Sequence, residues 1–248
     1  MRLAVAGVLL LGVAALMMPG AARGADQGTP VLVELFTSEG CSDCPPADAL
    51  LEQLDKQQPI AGVHAIVLSE HVTYWDRQGW RDPFSMEEMT ERQQAYQYRF
   101  GLPDVYTPQM VVDGSAQFVG SNGRALESAL QAEAARPKQE LSIADARWDN
   151  GSAEFSVHGT ASPGERLMAV LAADATHSEV TRGENAGHTL HHVAVVRAIK
   201  TFDGEAMDGR ALKLDARNLP DGPVRLVVFT VDGKTWHVLG AAEQTLTR

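Results

Sequence analysis

Cysteine is nearly absent from this sequence: there are two in 248 residues, Cys41 and Cys44, separated by Ser42 and Asp43. That excludes the multi-disulfide framework that holds many small secreted domains together. The one intramolecular bridge available closes a loop of two intervening residues and constrains the unfolded chain little. Chemistry is therefore a better reason for the pair than stability. Positive charge is also in deficit, with 21 Lys and Arg against 32 Asp and Glu. No basic stripe runs along the chain, which argues against a nucleic-acid partner. After residue 18 no apolar run approaches the ~20 residues of a membrane-spanning helix. Internal repeats and low-complexity tracts are missing too, so neither a solenoid nor a disordered chain is expected.

What is present begins with a leader. Arg2 precedes an apolar run, Leu3 to Met18, interrupted only by Gly7 and Gly12; Pro19-Gly20 breaks it, and Ala22-Arg23-Gly24 offers small residues at the usual cleavage positions. This predicts a secretory signal peptide over residues 1–24. The mature protein is then exported, periplasmic or extracellular, with no membrane span after cleavage. Loss of Arg2 and Arg23 takes the formal charge from −11 to −13. Thiols in such a compartment become disulfides.

Two patterns follow in order. Val31–Phe36 is a short apolar, β-branched run and predicts a buried strand. Ala47–Gln57 carries Ala49, Leu50, Leu51 and Leu54 at helical spacing. Val63–Glu70 predicts a second strand, and a long aromatic loop runs from His71 to Phe84. Ser85 with Glu88 predicts a capping box for a helix reaching Phe100. Met110–Val112 and Ala116–Val119 flank Asp113-Gly114 as a hairpin, and Ala125–Ala135 predicts a closing helix. This order is that of an α/β thioredoxin-like N-terminal domain, residues 25–137. From residue 138 onward, short strands separated by Gly, Pro and Asp turns predict an all-β, antiparallel, sandwich-like C-terminal domain, residues 138–248.

Cys41 and Cys44 fall between the first strand and the first helix. A helix N-terminus favours a thiolate, the nucleophile of disulfide exchange. Cys41, ending the turn, is expected to face solvent and attack; Cys44 is expected to face inward and resolve. Against this, Glu39 and Asp43 are negative, and Pro45-Pro46 place the regular helix start near Cys44. Thr107-Pro108, directly before a strand, is expected to be a cis-proline loop facing the cysteines, with Thr107 offering backbone to an extended substrate.

The segments Glu34–Asp48, Tyr74-Trp75-Asp76, Gly79-Trp80, Asp82-Pro83-Phe84 and Tyr106–Gln109 resemble those of the secreted, thioredoxin-like domain-of-unknown-function 1223 family. Arg182–Gly187 and His192 before Val193–Arg197 extend the resemblance into the second half. It implies fold and export, and no settled reaction.

The leading reading is a thiol–disulfide oxidoreductase with Cys41 and Cys44 as catalytic residues and as a disulfide. Thr107, Pro108, Tyr74, Trp75 and Trp80 are its candidate substrate-binding residues. It needs no cofactor. Its partners are protein or small-molecule thiols and disulfides, with an unidentified redox partner. A second reading uses the same sulfurs with His71 as a copper(I) or metallochaperone site, since soft thiolates and imidazole suit that ion. A third is a non-catalytic binding protein with a structural disulfide. Tyr74, Trp75 and Trp80 equally suit packing of the long loop. His188, His191 and His192 lack an obvious fourth zinc ligand and read as a loop between domains.

Overall fold

The structure, a computed structural model, describes residues 28–216 and 219–247. The expected signal peptide lies outside them. Eleven strands and three α-helices are present among the described residues. The apolar run at the N-terminal end becomes β1 (Thr29–Thr37), followed by α1 (Pro45–Gln57), β2 (Val63–His71), α2 (Glu87–Phe100), β3 (Gln109–Val112), β4 (Ala116–Val119) and α3 (Gly123–Ala134). Then come β5 (Ser142–Asp149), β6 (Ser152–His158), β7 (Glu165–Glu179), β8 (Thr189–Asp203), β9 (Asp208–Asp215), β10 (Val224–Asp232) and β11 (Val238–Leu246).

The expectation of a thioredoxin-like α/β domain followed by a separate antiparallel sandwich is overturned. Eight strands from both halves form one mixed sheet, ordered β11-β10-β7-β8-β2-β1-β3-β4, and β5-β6-β9 form a smaller sheet. The join is β2 beside β8, parallel, at Ser69 and Val195. The physical reason is edge satisfaction. β2 would otherwise end one sheet and β8 another, each with unpaired backbone groups; placing them side by side covers both edges.

Alternation along β7 and β10 explains the two layers. Leu167, Ala169 and Leu171, with Leu226 and Val228, pack under Phe155, Leu212 and Leu214 of the small sheet. Met168, Val170 and Ala172, with Val227 and Phe229, belong instead to the large core shared with β1, β2, α1 and α3. The large sheet curls enough for its far edge to return: Val238 N–H donates to the Asp113 carbonyl at 2.9 Å, and Lys138 Nζ meets Asp113 Oδ2 at 2.6 Å.

Two local expectations need amendment. The Ser85–Glu88 capping box does not form: α2 begins at Glu87 behind Met86, with no side-chain cap. Ser85 Oγ instead donates to Asp76 Oδ2 at 2.8 Å. Strands β7 and β8 run on past their apolar segments, pairing Thr176 with His192 and Glu179 with Thr189. That extension carries the hairpin tip, residues 180–188, to the cysteine loop.

Candidate functional site

Cys41 and Cys44 are joined as a disulfide at the end of the loop leaving β1. Helix α1 starts at Pro45, with Cys44 as its N-terminal flanking residue in the right-handed helical region. Pro45 and Pro46 have no N–H, so the first donors of the helix are those of Ala47 and Asp48. Both turn back to the Cys44 carbonyl, at 2.8 and 3.1 Å. A sulfur here receives the helix dipole but little direct hydrogen bonding from the first turn.

The expectation that Cys41 faces solvent is contradicted. Cys41 is 1% exposed and Cys44 0%, although Ser42 and Asp43 between them are exposed. The β7–β8 hairpin tip covers the pair. Asn185 Nδ2 donates to the carbonyls of Glu39 and Cys41, each at 2.9 Å, and Glu184 Oε2 accepts from Ser42 N–H at 3.1 Å.

Around the disulfide lies a buried set of charged groups. Glu39 Oε2 accepts from Trp80 Nε1 at 2.8 Å, and Glu39 Oε1 lies 3.2 Å from His192 Nε2. On the other side of that ring, His192 Nδ1 lies 3.8 Å from Asp48 Oδ1. Burial favours a neutral imidazole, but Asp48 and Glu39 outweigh it and raise the His192 pKa to about 10. His192 is therefore an imidazolium at neutral pH. Its ring meets that of His71 edge-on at 4.6 Å. His71 Nδ1 pairs with Asp82 Oδ2 at 2.7 Å, and the same oxygen accepts from Glu39 N–H at 2.9 Å. Burial pushes the Asp82 carboxyl up, but His71 and the N–H groups of Glu39 and Phe84 hold it at about 2.

Thr107–Pro108 is a cis peptide bond. Thr107 Oγ1 accepts from Trp75 Nε1 at 2.8 Å, and Pro108 and Ala47 both crowd the space around Gly120. The aromatic loop docks on this side. Trp75 packs over Gly40, Tyr74 OH donates to Gln93 Oε1 at 3.1 Å, and Trp80 reaches Glu39. Each of these aromatic side chains thus holds the loop in place, while Trp75 and Trp80 also bound the cysteine turn.

Of the three clustered histidines only His192 turns inward; His188 and His191 are exposed. Among the described residues no group of three or more His, Cys, Asp or Glu side chains is arranged to hold a metal ion, and the Nδ1 of His71 is taken by Asp82. Sequence reasoning missed Asp48 and Asp82 and left His192 in a loop. The available signal was the apolar run that follows residue 192, but Ala194, at a φ of +48°, breaks the strand alternation that would have assigned His192 to a face.

A second buried cluster occupies the face of β1 and β2 toward α2. Arg92 Nε donates to Glu34 Oε1 at 2.7 Å and lies 3.6 Å from Glu70 Oε1, and Tyr96 OH donates to Glu34 Oε2 at 2.6 Å. Burial, then the Glu34 carboxylate, push Glu70 well above the usual carboxylate range despite Arg92.

A family model described as "Protein of unknown function (DUF1223)" matches residues 32–230. A crystal structure of a protein from Agrobacterium tumefaciens is similar in fold, with a TM-score of 0.66 and 25% identity over 87% of this chain and 94% of that one. An apo β-glucuronidase from Ruminococcus gnavus aligns with a TM-score of 0.23 and 12% identity over 44% of this chain and 15% of that one, too slight for any argument. Among curated proteins no relative matches.

Proposed function

The chain belongs to the DUF1223 family, whose members are defined only as proteins of unknown function, and from the site itself we propose that it is an exported thiol–disulfide oxidoreductase cycling between a Cys41–Cys44 disulfide and a dithiol. The observation that carries this reading is the company the disulfide keeps. A bridge across two residues adds little stability, yet Glu39, Asp48, Asp82 and His192 are buried around it. Buried charges are costly, and concentrations of them mark sites where protonation matters. The leader-like residues 1–24 and the paired state of both cysteines support export.

The surroundings also favour one direction in this reading. Pro45 and Pro46 remove donors that would stabilise a thiolate, and two acidic side chains, Glu39 and Asp48, face the one His192 ring while Asp82 is paired with His71. The reduced form gains little, so the pair belongs at the reducing end of the scale, nearer about −270 mV than about −120 mV. Opening of the hairpin tip exposes Cys41 first, because Asn185 is bonded to its carbonyl. Cys44 stays at the helix start against the sheet.

The reaction is tested with small disulfides and dithiols on the folded protein. Cys44→Ser is expected to trap a mixed disulfide through Cys41, and Cys41→Ser to abolish trapping. Equal trapping by both variants contradicts the assignment of roles, and no exchange by the native protein contradicts the function.

A further inference from the structure

The two carboxylates that hold His192 flank the disulfide in sequence. Glu39 lies two residues before Cys41, and Asp48 lies four residues after Cys44, bonded through its N–H to the Cys44 carbonyl. Residues four apart share one helix face, so Asp48 stands one turn below Cys44, and both are buried. Besides His71 Nε2, two atoms in this arrangement make no hydrogen bond: Asp48 Oδ1 and His192 Nδ1. They face each other at 3.8 Å. A buried donor and a buried acceptor left apart in this way are costly unless the gap serves a proton that moves.

We infer that His192 and Asp48 form a proton relay for the Cys44 sulfur. The inference rests on the exchange reaction proposed above. In that reaction an external thiolate attacks Cys41 Sγ; a new S–S bond forms between them, the Cys41–Cys44 bond breaks, and its electron pair leaves on Cys44 Sγ. That thiolate arises inside the protein, beside Glu39 and Asp48, where an added negative charge is unfavourable. The relay neutralises it: Asp48 takes the Nδ1 proton of His192 and passes a proton to Cys44 Sγ. Attacking thiolate and imidazolium become mixed disulfide, Cys44 thiol and neutral imidazole, and the charge balances. In the reverse direction the relay removes the Cys44 proton so that Cys44 can resolve the mixed disulfide.

The other groups facing the His192 ring are Glu39, His71 and Phe84, and of their polar atoms His71 Nε2 makes no hydrogen bond. Glu39 holds Nε2 and fixes the ring so that Nδ1 points to Asp48. His71 meets it edge-on and is tied to Asp82, and Phe84 lies at 5.9 Å. Glu39, His71 and Asp82 therefore position the ring, while Asp48 alone connects it to the helix that bears Cys44.

The test is the rate of reduction of the native disulfide by dithiothreitol, corrected for the reductant's thiolate fraction, from pH 6 to 10.5. The wild type is expected to be flat near neutrality and to slow as the pH approaches about 10, where His192 loses its proton. His192→Asn is expected to be slower near neutrality by roughly 10²-fold, at the low end of general-acid effects, with no inflection. Asp48→Asn reports the same loss while keeping His192, and it serves where His192→Asn does not fold. Either variant within twofold of the wild type, with the inflection retained, overturns the relay and leaves the exchange reaction standing. A folded wild type that reacts at no pH removes the exchange reaction itself.

Discussion

Asn185 offers the sharpest test of how the disulfide is covered. Its amide donates to the carbonyls of Glu39 and Cys41, and it is itself buried. Asn185→Ala removes both bonds, leaving the Glu39 carbonyl without this partner and the Cys41 carbonyl with only the Cys44 N–H, but only while the hairpin tip is closed. Once the tip opens, water satisfies them, so the cost falls on the closed state. At about 0.5–1.5 kcal/mol for each net hydrogen bond, two amount to roughly 1–3 kcal/mol. With about 1.4 kcal/mol per tenfold, the open population rises by roughly 5- to 140-fold. If attack on the disulfide needs that opening, the rate of reduction by a dithiol rises by the same factor. The assay is quenched alkylation and mass measurement well below the melting temperature, with urea unfolding recorded in parallel. A rate within twofold of the wild type, in a variant that has lost the expected stability, refutes the cover; the sulfurs would then be reached by another path.

The two buried acidic clusters make opposite pH predictions. Glu70 has its folded pKa raised, so the folded state holds a proton that the unfolded chain releases above about 4.5, and stability falls as pH rises from there. Glu70→Gln fixes the neutral form and is expected to melt higher than the wild type at pH 8 and about the same at pH 4; equal melting at both values contradicts the protonated state. Asp82 has its folded pKa lowered from 3.8 to about 2. Its contribution is present above 3.8 and is lost as pH falls toward 2, and the shift corresponds to roughly 2 kcal/mol. Asp82→Asn is expected to cost about that much at pH 6 and to flatten the acid limb of a urea-stability profile, and an unchanged acid limb would count against it. Gly114 adopts a φ of +60°, and a Cβ there would lie 2.2 Å from the Trp236 carbonyl oxygen. Gly114→Ala is expected to lower the melting temperature sharply by breaking the return of the curled sheet, as read by thermal unfolding.

Local pattern revealed the elements where one face is buried. Val31–Phe36 and Ala47–Gln57 lie within β1 and α1, because apolar spacing there reports burial directly. It fell short where burial comes from distant chain. Ala173–Glu179 is alanine-rich and polar, so its continuation of β7 carries no apolar alternation; it is held by pairing with Thr189–Val195. The union of the two halves rests on Ser69 beside Val195, a contact no local pattern encodes. For the same reason the strand-and-turn signals of the second half suggested a self-contained sandwich rather than part of one large sheet. The site divides in the same way. Cys41-Ser42-Asp43-Cys44 and Thr107-Pro108 are legible as motifs. Glu39, Asp48, Asp82 and His192 look like ordinary charged residues until the fold brings them around the disulfide. Asn185, 144 residues away, is among the groups that close over Cys41.

If Cys41–Cys44 is a working redox pair, it must be reduced and reoxidised inside the folded protein. Its most direct test is the reduction potential, measured by equilibration with dithiothreitol buffers, alkylation of free thiols, and circular dichroism on the same samples. Reversible two-electron reduction near about −270 mV, with the fold retained in the dithiol form, is the expected result. A potential well below about −300 mV, the range of structural disulfides, or reduction only on unfolding, would contradict it.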